Sequence, residues 1–80
     1  MRNIEIDFNK LRGKIKEYLG NEQLYAQKLG LSTSAISMKL NNKIPFSFDE
    51  IDRTVELLNI EHDKIYEYFF TKKVEKNSTQ

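Results

Sequence analysis

Residues 21–42 read NEQLYAQKLGLSTSAISMKLNN, and this stretch decides the fold. Asn21 is an N-cap residue ahead of a helix reaching about Leu29, Gly30 supplies a left-handed turn, and Ser32 caps a further helix from Thr33 to about Asn41. The pattern is helix, tight turn, helix. Ala26 is small where the two helices must cross closely, and Leu31, Ile36 and Leu40 turn inward to lock them together. At about 100° per residue, Ser34, Met38 and Asn41 then point away from the buried face, with Thr33 and Ser37 on its border. That outer face carries no acid. Its hydroxyl and amide groups suit close approach to base edges in a major groove, which makes Thr33, Ser34, Ser37, Met38 and Asn41 candidate base contacts. Lys39 and Lys43 are placed to pair with phosphates. Asn21 and the free N–H groups at the helix N-terminus behind it offer themselves to the same anions.

Upstream of this stretch, Asp7 is positioned to cap a helix of about Phe8 to Leu19, ended by Gly20, with an apolar stripe of Phe8, Leu11, Ile15, Tyr18 and Leu19. Gly13 inside that helix costs up to about 1 kcal/mol against Ala, so a neighbour is expected to pack closely there. Downstream, Asn41-Asn42-Lys43 and Pro45 are loop chemistry. Ser47 with Glu50 three residues on is a capping box, opening a helix whose stripe is Phe48, Ile51, Val55 and Leu58. A last segment from Glu61 to about Phe70 concentrates Tyr66, Tyr68, Phe69 and Phe70. Tyr66 and Phe69 are expected to close the core over helix 1. Tyr68 and Phe70 are candidates for a dimer seam, core packing alone being the alternative. No period-2 stretch is long enough for a strand. The expectation is therefore all-α: five short helices in one domain over residues 1–71, followed by a flexible polar tail over residues 72–80.

Composition narrows the function classes. Eighty residues suffice for one domain, and 39% hydrophobic residues can close a small core. With no Cys and one His, His62, neither disulfides nor a zinc or iron-sulfur site is expected. The net charge of +1 hides an asymmetry: residues 1–43 hold eight Lys/Arg against four acids, a net of +4, and residues 44–80 hold five against eight, a net of −3. A polyanion-facing half opposite a non-binding half fits that division. No phosphate-binding glycine loop and no Ser-His-acid set can be assembled, so neither an enzyme, a cofactor nor a small-molecule substrate is expected. No apolar run approaches the roughly 18 residues of a membrane span and no signal sequence opens the chain, so a cytoplasmic protein without membrane contact is expected.

The residues Ala26, Leu29-Gly30, Leu31-Ser32, Ile36-Ser37 and Leu40-Asn41-Asn42 resemble the helix-turn-helix of the lambda-repressor-like family, which includes the phage Cro and CI proteins and the bacterial XRE group. FNKLRGKI, LYAQKLGLS, KLNNKIPF and EYFFTKKV look like small phage-related proteins from prophages of Gram-positive bacteria. The resemblance spans about residues 5–74. It implies a five-helix lambda-repressor-like DNA-binding domain acting as a transcriptional regulator, as a homodimer on a palindromic double-stranded operator. Family members often place Gln at the first residue of helix 2, where this chain has Glu22; either Glu22 turns aside toward helix-terminal N–H groups or Gln23 takes the phosphate contact. The reading from another class is a helical module that binds a second phage or host regulator without touching DNA.

Overall fold

The computed structural model describes residues 5–74, so residues 75–80 of the expected tail lie outside the described residues. Five α-helices follow in order: α1 (Asn9–Leu19), α2 (Glu22–Leu29), α3 (Thr33–Leu40), α4 (Phe48–Leu57) and, entered through a 3-10 turn at His62–Lys64, α5 (Ile65–Phe69). Among the described residues extended pairing is confined to one isolated antiparallel bridge, Ile6 with Lys72. No described helix is long and apolar enough to cross a membrane.

Local chemistry sets the helix ends. The Asn21 side chain accepts from the Leu24 N–H at 2.8 Å and Ser32 Oγ from the Ala35 N–H at 3.0 Å, each satisfying a donor that the first helical turn leaves open. Ser47 and Glu50 form both bonds of the capping box, at 3.1 and 2.9 Å. At the α1 start Asp7 serves the Asn9 N–H at 2.9 Å, and the helix begins at Asn9 rather than Phe8. Gly30 takes φ +74°, letting Leu31 N–H reach the Ala26 carbonyl at 2.9 Å and turning the chain from α2 into α3.

The core is continuous. Leu11 and Ile15 of α1, Tyr25, Ala26 and Leu29 of α2, Ile36 and Leu40 of α3, Val55 and Leu58 around α4, and Tyr68 and Phe69 of α5 are all buried. Tyr25 carries its hydroxyl into this interior, donating to Thr54 Oγ1 at 2.7 Å, which in turn donates to the Glu50 carbonyl at 2.7 Å. Burial pushes the Tyr25 hydroxyl up to about 12, the Thr54 bond acting the other way. Among the described residues no buried side-chain nitrogen or oxygen is left without a partner.

Several expectations are corrected. Tyr68 and Phe69 face the core and Tyr66 is exposed, so Tyr68 is removed from the dimer seam while Phe70 stays at the surface, its ring 5.6 Å from that of Tyr66. The 3-10 turn shifts the phase at which the last helix starts, and five residues offer no period from which to read it. Phe48, at the first position of α4, is 91% exposed, and Tyr18 also leaves its stripe to lie under the Lys14 ammonium, 4.9 Å from the ring centre. Lys72 and Lys73, expected in the tail, are tied to the domain: Asp7 N–H donates to Thr71 O at 2.7 Å and Lys73 N–H to Glu5 O at 3.0 Å.

Among the described residues Gly13 meets nothing: a Cβ there would have open space within 4 Å. The close neighbour expected from its position is absent. Gly13→Ala should therefore raise stability by about 0.5–1 kcal/mol, the helix-propensity difference, with no packing cost. Urea unfolding of the two proteins measures it; a lower midpoint for the Ala variant would contradict this account.

Candidate functional site

Thr33, Ser34, Ser37, Met38 and Asn41 all lie exposed on one face of α3, as the helical spacing predicts. Ile36 and Leu40, at 0% and 3% exposure, hold the opposite face in the core, which fixes the rotation of the helix. Met38 is the large apolar side chain of the outer face, 44% exposed. At its C-terminal end the chain folds back on α3: Lys43 N–H and Ile44 N–H both donate to the Met38 carbonyl, at 2.7 and 3.4 Å.

Of the four candidate phosphate contacts, Gln23 and Lys43 are exposed, and Asn21 is exposed with its side-chain oxygen occupied by the α2 cap. Lys39 is not available. It is 8% exposed, and its ammonium turns inward to the Glu50 carboxylate at 2.9 Å and the Pro45 carbonyl at 3.0 Å, above the Phe46 ring. The apolar stem covers the core while the head finds a partly buried acid on α4, a partner eleven positions along the chain that helical spacing cannot reveal. Burial pushes the Glu50 carboxyl up, but the Ser47 N–H and the Lys39 ammonium outweigh it and hold it below the usual range.

Glu22 turns to Arg12 of α1, at 2.7 Å, rather than to the helix-terminal N–H groups. Arg12 also donates to the Leu40 carbonyl at 3.2 Å and to Asn41 Oδ1 at 3.3 Å, bridging the start of α2 and the end of α3. Arg12 was legible only as one of four cations on helix 1; nothing in the spacing distinguishes it from Lys10, Lys14 or Lys16. Asn41 is held at both ends of its amide, since its Nδ2 donates to the Ser37 carbonyl at 2.8 Å. To read a base with both amide atoms it would have to release these bonds.

Three of the seven described cations of the basic half are thus paired within the fold. Lys10 meets Glu67 of α5, which raises the lysine and lowers the carboxyl from their ordinary values, Arg12 meets Glu22, and Lys39 meets Glu50. Among the described residues no group of three His, Cys, Asp or Glu side chains is placed to hold a metal ion.

The fold and surface are those of a small all-helical protein whose α3 presents an acid-free outer face. The chain belongs to the family described as "Protein of unknown function (DUF739)", whose model matches residues 4–72. Its structure is similar to the solution structure of the modulator of repression (MOR) of the temperate bacteriophage TP901-1 from Lactococcus lactis: 38% sequence identity, TM-score 0.73, over 88% of this chain and 95% of that one. Among curated proteins no match is found. The expected kinship with small phage regulators is therefore supported at the level of a phage regulatory protein.

Proposed function

We propose that this protein is a small phage-type regulator that modulates transcriptional repression, with α2 and α3 as a helix-turn-helix and the outer face of α3 as the contact surface for a protein partner, the repressor itself. The similar phage protein is a modulator of repression by name. One observation carries the choice of partner: Lys39 is turned into the core and Arg12 is balanced by Glu22, which leaves an exposed Met38 among small polar side chains. Methionine is adaptable and enriched at protein interfaces, whereas few neutralised phosphates mean weak affinity for DNA.

A second reading keeps α3 for DNA. In it Thr33, Ser34, Ser37 and Met38 face bases of a palindromic operator, Asn21, Gln23 and Lys43 contact phosphates, and the protein is a homodimer. The absence of acids on the α3 outer face supports it. Calorimetric titration against the purified phage repressor, beside selection from a random DNA pool, separates the two. With a protein partner, Met38→Glu weakens repressor binding by about tenfold or more and the protein alone enriches no DNA site. Enrichment of a palindrome, bound in a salt-dependent way by the protein alone, would replace this reading with the second.

A further inference from the structure

Beside the α3–α4 loop a groove of about 310 Å³ opens, at the small end of ligand-binding pockets. Its floor is aromatic: Phe46 stands edge-on to Phe8 and Phe69, with ring centres 5.5 and 5.3 Å apart. Ile44 and Phe70 form part of its walls and remain 36% and 41% exposed, so apolar surface faces solvent on both sides of an apolar floor. Among the described residues the charged ones lining it are Lys39 and Lys43, and none is acidic. The Lys39 charge is met by Glu50, which is not part of the lining; Lys43 is exposed and, among the described residues, makes no ion pair.

We propose that this groove is a socket for a large apolar side chain carried on an acidic segment of the protein partner. The proposal rests on the protein-partner reading above and names the chemistry of that partner. Shape and charge agree on the occupant. The volume suits one or two Leu- or Phe-sized groups, and burying Ile44 and Phe70 against them removes apolar area from water. An acid beside that anchor would meet Lys43, whereas a lysine there would face a like charge. Position is consistent with the same occupant: Lys43 and Ile44, which line the groove, donate their N–H groups to the Met38 carbonyl, so the groove opens beside the C-terminal end of α3.

The test uses the full chain, labelled with nitrogen-15, and two synthetic amphipathic peptides of equal length with the same leucines at helical spacing, one flanked by Glu and the other by Lys. Expected are shifts at the amides of Lys43, Ile44, Phe46, Ile51 and Phe70, binding about tenfold tighter for the acidic peptide, and loss of both in Phe70→Glu. Ile44→Glu, on the other wall, repeats the test if the first variant unfolds, and Lys43→Glu should reverse the peptide preference. Equal affinities, no shifts at these amides, or concentration-dependent shifts without peptide, which would place a second copy in the groove, each overturn the proposal. Titration of the repressor separates the two levels. Weakening by Met38→Glu but not by Phe70→Glu removes the socket and leaves the regulatory reading; weakening by neither removes that reading as well.

Discussion

Lys39→Ala should lower the stability of this domain by about 3 kcal/mol, because it leaves the Glu50 carboxylate enclosed without its cation. The pair is well shielded: the side chains are 9% and 16% exposed, and the ammonium also holds the Pro45 carbonyl that begins the turn into α4. Lys39→Met keeps most of the stem and removes only the charge, so most of the loss should persist in that variant. Adding Glu50→Gln should then recover a large part of it, since a neutral amide needs no counter-charge. Denaturant unfolding of these four proteins measures the losses; a Lys39→Met loss below about 0.5 kcal/mol would mean the pair is solvent-screened like an ordinary surface bridge.

The pH dependence carries a definite sign. Glu50 is held below its ordinary value in the folded state, so its contribution is present above the unfolded carboxylate range, near 4.5, and is lost as pH falls through the lower folded value. Without Lys39 the upward push of burial meets only the Ser47 hydrogen bonds. The gap in stability between the parent and Lys39→Met should therefore narrow as the pH is taken from 7 toward about 3. A gap that is constant over that range would remove the ion pair as its cause.

Asn42→Ala has the second large effect, a loss of about 2–3 kcal/mol. Asn42 sits at φ +65°, a conformation costly for alanine, and its amide pairs with both backbone groups of Ile6: Oδ1 accepts from the N–H at 2.8 Å and Nδ2 donates to the carbonyl at 3.0 Å. On the other edge of that segment, Glu5 O and Asp7 N–H pair with Lys73 and Thr71. One asparagine thus completes the bonding of the N-terminal segment and ties it to the loop after α3. Asn42→Gly relieves the backbone cost but forfeits both bonds, so it should fall between Asn42→Ala and the parent. Hydrogen exchange at the Ile6 amide gives an independent reading: it should accelerate in both variants, and unchanged protection would show that the clamp does not hold the segment.

Where a feature depended on neighbours within one turn, it could be read from the chain. The Ser47–Glu50 box, the Asn21 and Ser32 caps and the Gly20 and Gly30 stops are short-range bonds whose donors and acceptors lie a few residues apart. The outer face of α3 was legible for the same reason, because Ile36 and Leu40 fix its rotation. What failed depended on a partner far along the chain or on a short helix. Phe48 fits the stripe of α4 by spacing, yet at the first position of the helix it lies in water, 91% exposed.

The sequence by itself determined five helices, their order and the α3 residues that face outward, since capping and helical periodicity act within a few residues of the chain. The tertiary structure alone decided what that face can engage. It took Lys39 inward to Glu50, paired Arg12 with Glu22 and Asn41, and gathered Phe8, Phe46 and Phe69 from three parts of the chain into one groove floor. Charge counted along a chain cannot show which ions neutralise one another, because ion pairing is set by distance in space.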